Sequence, residues 1–287
     1  MTKTLISFGH GYSASALAGR LLPLGWTIYG TTRSTQKAGL IRQTGVNPIA
    51  LDTTNANTQI INALDKATHV LISAGPDEHG DPTLQRFRDQ IAKAPDLKWV
   101  GYLSTTGVYG DHQGGWVDET TPLTPSTRRG KWRAAAEAEW QSLPDLPLHI
   151  FRLAGIYGPG RGPFAKVRNG TARRIIKKNQ VFSRIHVDDI AQILHASIDQ
   201  PNPGAIYNVC DDLAAPPEDV IAHAAELLGM DAPPAVPIEQ AEMSPMARSF
   251  YAESKRVRND RIKQELGVKL LYPDYRAGLA ALLESAP

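Results

Sequence analysis

Gly9, Gly11 and Ala14 stand in a Gly-x-Gly-x-x-Ala spacing, Gly9-His10-Gly11-Tyr12-Ser13-Ala14. The segment follows an apolar run at 4–8 and precedes the amphipathic stretch Ala14, Leu17, Ala18, Leu21, Leu22. Strand, tight turn and helix in that order suit the binding of a dinucleotide diphosphate. Gly9 makes the turn, Gly11 lets a pyrophosphate approach the backbone, and Ala14 lets helix and strand pack closely. The N–H groups that open the helix, on Tyr12 and Ser13, then face the anion. An ordinary strand–helix turn is the other use of such a segment. A second group lies in Tyr29-Gly30-Thr31-Thr32-Arg33-Ser34, where an acidic residue would take the ribose hydroxyls of NAD. No acid is present there. Arg33 offers a planar fork for a 2′-phosphate, and Thr31, Thr32 and Ser34 offer hydroxyls. These residues predict NADP, with NAD the weaker expectation; a solvated loop arginine is the alternative for Arg33. Asp52 is positioned to accept a hydrogen bond from the adenine amino group. Ser73, Ala74 and Gly75 would pass beneath the cofactor at the carboxyl edge of a sheet.

Those residues need a scaffold, and the hydrophobic pattern supplies one. Short apolar runs lie at 4–8, 26–30, 48–51, 69–73, 98–103, 148–153 and 205–210. Helical patterns lie at 13–23, 34–44, 57–65, 82–94, 128–142 and 188–199. Alternation of this kind predicts right-handed βαβ crossovers and an α/β fold, a Rossmann-type doubly wound parallel sheet. The last 75 or so residues read as mostly helical with proline-rich loops, a small substrate subdomain. The expected division is a dinucleotide-binding part at 1–158, completed by 184–210, and a smaller part at 159–183 and 211–287.

The 287 residues carry 31 basic and 29 acidic side chains, so no strong field toward nucleic acid or membrane is implied. No apolar run approaches the roughly 20 residues of a membrane span. The chain enters a strand at once, without a signal-peptide pattern, and a cytoplasmic protein is expected. The single cysteine, Cys210, excludes an intrachain disulfide framework and a cysteine-based zinc cluster. It lies in an apolar strand as a small core residue. No metal is expected.

Four further segments, in order, resemble the extended short-chain dehydrogenase/reductase superfamily, the NAD-dependent epimerase/dehydratase group. They are Tyr102-Leu103-Ser104-Thr105-Thr106-Gly107-Val108-Tyr109-Gly110, Phe151-Arg152-Leu153-Ala154-Gly155-Ile156-Tyr157-Gly158-Pro159-Gly160, Arg184-Ile185-His186-Val187-Asp188-Asp189-Ile190-Ala191 and Ala205-Ile206-Tyr207-Asn208-Val209. The resemblance covers nearly the whole chain. The closing Ser254–Asn259, Glu265-Leu266-Gly267 and Tyr272–Arg276 segments look like the atypical branch, many members of which lack the usual active site.

The resemblance implies that Thr105 hydrogen-bonds the reacting oxygen; a strand-end threonine tying a loop is the alternative. It also implies a Tyr-x-x-x-Lys pair on the next helix, followed four residues later by Glu. Aligned on Glu137, the lysine position holds Arg133 and the tyrosine position Arg129, and a guanidinium is no proton donor at neutral pH. Arg133 could hold the nicotinamide ribose or a phosphate, or form a surface i,i+4 pair with Glu137. Tyr109, Tyr157, His112 and His186 are candidates for a substitute acid. His186 could instead orient its loop and the following helix, with Asp188 as that helix's cap. The acid and base of family dehydratases are replaced by Thr106 and Gly107. The arginine that meets nucleotide-sugar phosphate is replaced by Phe182, with Arg184 two residues before His186. Tyr157, Arg161 and Arg184 are the candidate substrate contacts, and the basic stretch after Gly160 could receive an anion or be a solvated face.

Two functions follow. One is an NADP-dependent oxidoreductase or epimerase acting on a small, sugar-like hydroxyl or keto substrate. The other is a non-catalytic NADP(H)-binding sensor or regulatory protein. Helices 82–94 and 128–142 resemble the pair through which superfamily members dimerise. Trp132, Ala135, Ala136 and Trp140 would serve a homodimer or cover the sheet.

Overall fold

The computed structural model describes residues 3–285. Five strands and five helices alternate from the start: β1 (Thr4–Phe8), α1 (Tyr12–Leu21), β2 (Thr27–Thr32), α2 (Thr35–Gln43), β3 (Asn47–Ala50), α3 (Ala56–Leu64), β4 (His69–Ile72), α4 (Pro82–Ala92), β5 (Trp99–Thr105) and α5 (Arg128–Gln141). Two later strands, Leu148–Leu153 and Ile206–Val209, complete a seven-stranded sheet. All its pairings are parallel, so each connection must cross over, and helices cover both faces. The predicted α/β class and all seven predicted strands are present.

Across the sheet the order runs Ile206–Val209, Leu148–Leu153, β5, β4, β1, β2, β3. The chain leaves β1 toward β2 and β3, then returns to build outward from β4. The carboxyl ends of β1 and β4 therefore part company, opening the crevice where such sheets take ligands. Alternate residues of each strand enter different cores. Leu5, Leu71, Trp99, Leu103 and Phe151 pack beneath α1 and the helix Val187–Asp199. Ile6, Val70, Ile72, Val100, Tyr102 and Ile150 pack beneath α3, α4 and α5. Gly101 has no side chain because the Trp99 ring occupies the place of its Cβ. Cys210 is fully buried, and its thiol donates to the Val257 carbonyl at 3.2 Å.

A third apolar cluster draws on Val167, Ala172, Ala215, Val220, Ala224, Ala225, Tyr275 and Leu279. The stretch that carries Val257, Ile262, Leu266, Val268 and Leu270 packs on the sheet's own core instead. No helix among the described residues is long and apolar enough to cross a membrane.

The helix α5 overturns one expectation. Glu137 does not pair with Arg133 on a surface. The face of α5 that carries Gly130, Ala136 and Trp140 turns Glu137 onto the sheet, where it is 1% exposed. Arg152 holds it there, with Nη2 at 2.8 Å and Nε at 3.2 Å from the same carboxylate oxygen. Ser104 donates to its other oxygen. Arg152 Nη1 donates onward to the Tyr109 hydroxyl at 2.9 Å, which donates to Asn208 Oδ1 at 2.8 Å. Trp140 and Ala136 cover the sheet, and the Trp140 indole N–H reaches Asp81, the cap of α4. Ala135 stays exposed and Trp132 half-exposed.

Removing one partner of a buried pair strands the other's charge, at about 3–5 kcal/mol. Arg152→Met should therefore lower unfolding stability in urea by that much. Combining it with Glu137→Leu should restore part of the loss. A single variant as stable as the parent would show that the pair contributes nothing.

Candidate functional site

The glycine turn sits where three strand ends meet. Gly9 has φ of +79°, and a Cβ there would lie 2.8 Å from the Ala74 backbone nitrogen. Only glycine fits that approach. The Gly9 N–H donates to Thr31 Oγ1 at 2.8 Å, and the His10 N–H to the Thr31 carbonyl at 2.8 Å. Thr31 is thus spent on holding the turn rather than on phosphate. The Ser73 and Ala74 N–H groups both donate to the Phe8 carbonyl, at 2.9 and 2.8 Å, which brings Ser73-Ala74-Gly75 beside the turn. Gly11 precedes α1 without a side-chain cap, so Tyr12, Ser13 and Ala14 open the helix with N–H groups for an anion.

His10 is a residue that the motif did not reveal. It is buried below the turn, with ring Nδ1 2.8 Å from Ser7 Oγ. Gly30 in β2 makes the space, since a Cβ there would lie 2.7 Å from the ring. Burial, then the charge of Lys37, pushes the His10 pKa down to about 4. The one signal in the sequence is a glycine inside an otherwise bulky strand.

At the edge of β2, Arg33 is exposed and Thr32 buried. Ser34 caps α2 by accepting from the Lys37 N–H at 3.4 Å, and Asp52 Oδ2 accepts from the Thr35 N–H at 3.1 Å. Both predicted cofactor contacts therefore also fix the start of α2, directly after Arg33.

Arg133 reaches the ends of β4 and β5. Its Nη1 donates to the Tyr102 hydroxyl at 3.1 Å and to the Leu103 carbonyl. Its Nη2 lies so close to Gly75 that a Cβ there would be 3.1 Å away. Thr105 ends β5, half-buried, and its Oγ1 accepts from the Gly107 N–H at 3.2 Å. That bond uses a lone pair and leaves the hydroxyl proton to be donated. Thr105 and Arg133 thus share one edge with Ser73, Ala74 and Gly75.

The candidate acids fare differently. Tyr109 is fully buried in the Arg152 network, and burial raises its hydroxyl to about 12 despite that guanidinium. Tyr157 is buried too: its hydroxyl donates to the Asp274 carbonyl at 3.3 Å and fills the space above Gly278. Burial raises that hydroxyl beyond any working range. His186 is buried between Tyr157 and Tyr272, with ring centroids 5.1 and 4.1 Å away. It, rather than Asp188, caps the helix Val187–Asp199, its Nδ1 accepting from the Asp188 N–H at 3.2 Å. His112 is half-buried, its Nε2 3.1 Å from the Tyr109 carbonyl. Tyr109, Tyr157 and His186 are thus all buried by packing, and the Tyr157 hydroxyl is taken by the Asp274 carbonyl.

Arg184 turns inward, donating to the Phe182 and Ala215 carbonyls at 2.8 and 3.1 Å. Asp211 lies in its field, and burial there pushes that carboxyl up to about 8. Arg161 is exposed and stands 5.8 Å over the ring of Tyr12.

The sequence model of the NAD dependent epimerase/dehydratase family matches residues 5–210. The chain is 29% identical to Protein YeeZ of Escherichia coli strain K12 over 284 residues, covering 95% of this chain and 97% of that one. A functionally unknown conserved protein from Silicibacter pomeroyi DSS is 58% identical, with a TM-score of 0.90 and 99% of each chain covered. At 18% identity the fold alone is shared with human epimerase family protein SDR39U1, solved with NADPH, at a TM-score of 0.76 over 99% of this chain and 100% of that one.

His10 gives a pH signature with a definite sign. The native ring protonates only near pH 4, whereas an unfolded one does so near 6.5. Its contribution to stability is present above pH 6.5 and lost as pH falls toward 4. Urea unfolding of the parent should weaken more between pH 7 and 4.5 than that of His10→Gln. Equal losses would show that His10 titrates normally in the fold.

Proposed function

Because the chain belongs to the NAD-dependent epimerase/dehydratase family, we propose that it binds NADP(H) and acts as an oxidoreductase or epimerase on a small, sugar-like hydroxyl or keto substrate. One observation carries this reading, the Arg133 guanidinium set against Gly75 and bonded to Leu103, two residues before Thr105 on β5. The cradle fits the dinucleotide: Gly9 has no room for a Cβ, and α1 opens uncapped. Gly9, Gly11, Tyr12, Ser13 and Ala14 take the diphosphate, and Arg33 the 2′-phosphate. Ser73, Ala74 and Gly75 pass beneath the nicotinamide half. The smaller part of the chain, 159–183 with 211–287, closes over the substrate; the apolar cluster of Val167, Ala172, Ala215, Val220, Tyr275 and Leu279 supports a separate unit there, although 257–270 packs on the sheet's core.

A bound nicotinamide dinucleotide supplies hydride transfer. Thr105 donates its hydroxyl proton in a hydrogen bond to the substrate oxygen. Arg133, bonded to the same strand that Thr105 ends, would hold the nicotinamide ribose. With Arg129 at the tyrosine position, the proton exchanged at that oxygen comes from water. A positioned acid contributes on the order of 10²–10⁴-fold, so turnover should be slow. Nucleotide sugars are disfavoured by Phe182 and the inward Arg184. The second reading, a non-catalytic NADP(H) sensor, is favoured by the burial of Tyr109, Tyr157 and His186.

Calorimetric titration with NADPH and NADH tests the cofactor assignment. Charge-assisted hydrogen bonds of about 1.5–3 kcal/mol correspond to roughly 10–100-fold in affinity. Arg33→Ala should weaken NADPH by that factor and leave NADH nearly unchanged; equal losses refute the 2′-phosphate role. Thr105→Val should abolish turnover, followed by nicotinamide absorbance, at unaltered NADPH affinity. Full turnover would remove Thr105 from the mechanism, and a parent that binds NADPH without turning over any hydroxyl or keto compound supports the sensor.

A further inference from the structure

The turn Gly158-Pro159-Gly160-Arg161 follows the strand Gly155–Tyr157 and lies against the opening of α1. Two hydrogen bonds close it, Gly158 N–H to the Arg161 carbonyl at 3.0 Å and Arg161 N–H to the Gly158 carbonyl at 2.9 Å. The Tyr12 hydroxyl donates to the Pro159 carbonyl at 2.9 Å and pins the turn to the helix. Contact is close: Gly158 has φ of +151°, and a Cβ there would lie 2.5 Å from the Tyr12 oxygen and 2.8 Å from Val187 Cγ1. From this turn Arg161 extends over the Tyr12 ring.

We propose that the 158–161 turn is a clasp over the cofactor's diphosphate, with the Arg161 guanidinium as its cationic contact and Tyr12 as its pin. This rests on the dinucleotide reading above. A diphosphate brings two negative charges, whereas a helix N-terminus offers about half a positive one. The segment Gly9–Ala14 contains no permanent cation, and its one basic side chain, His10, is buried. The acid whose field reaches Tyr12, Asp188, would repel an anion; its carboxylate lies 3.6 Å from His186 Nδ1. Arg161 is exposed and has no carboxylate within 4.0 Å among the described residues, so its fork is available. The guanidinium stands over the side chain of Tyr12, the residue whose backbone N–H opens α1, and a guanidinium beside free amides suits a phosphate contact. Arg161, expected from sequence to meet substrate, belongs on this geometry to the cofactor side.

The diphosphate is common to NADPH and NADH, and that separates the clasp from the 2′-phosphate site. Calorimetry on the parent, Arg161→Ala and Arg161→Lys, each with both nucleotides, reads the difference. Arg161→Ala should weaken both by the same factor, at least tenfold, and Arg161→Lys should recover part of it. In stopped flow, Tyr12→Phe should release NADPH several-fold faster. Unchanged affinities in Arg161→Ala, or a loss confined to NADPH, overturn the clasp while leaving the dinucleotide reading intact. So does a variant that raises only a substrate KM. A parent that binds neither nucleotide overturns both.

Discussion

The approach of Gly9 to the Ala74 backbone fixes where everything else at the site must be. Two parallel neighbouring strands, β1 and β4, whose following connections lead to opposite sides of the sheet, meet here within the space of one absent methyl group. The closeness is enforced from three sides: the Phe8 carbonyl gathers the Ser73 and Ala74 amides, the Thr31 hydroxyl takes the Gly9 amide, and His10 fills the hollow left by Gly30. One contact draws on the end of β4 and two on β2, so the turn is a product of sheet register and not of local sequence alone. α1 inherits its direction from that turn, and its uncapped start is then aimed at the crevice.

A second dependence runs through α5. Burying Glu137 against Arg152 sets the rotation of that helix about its axis. Arg133, one turn earlier, is thereby carried to the ends of β4 and β5 and not to solvent. The buried pair and the candidate site are thus two faces of one orientation. The same arginine, Arg152, also donates to the Tyr109 hydroxyl and ties that phenol into the buried network.

Legibility in the sequence followed the range of the interactions concerned. The seven strands and the helices between them could be read because each depends on its own apolar period and its own caps, such as Asp81 before Pro82. The glycine turn could be read because strand, turn and helix are contiguous. The His10–Gly30 fit could not, since it joins a turn residue to a residue of another strand through shape alone. Nor could the partner of Glu137, because i,i+4 spacing offered Arg133 while the sheet supplied Arg152. Tyr157 and His186 are covered by residues from the last helix and the loop before it, Gly278 and Tyr272, whose docking no local pattern encodes. Thr105 lies between these cases: its place at a strand end was readable, its bond to Gly107 only from the fold.

The lone thiol has a practical corollary. Cys210 is sealed in the core, bonded to the Val257 carbonyl, with burial holding its pKa well above the ordinary value. A neutral, inaccessible sulfur is a poor nucleophile. Maleimide reagents and mild oxidants should therefore find no target in the native protein. A cysteine introduced at any exposed position, the tip of the 158–161 turn included, becomes a unique attachment point for a fluorophore or spin label without prior removal of the native one.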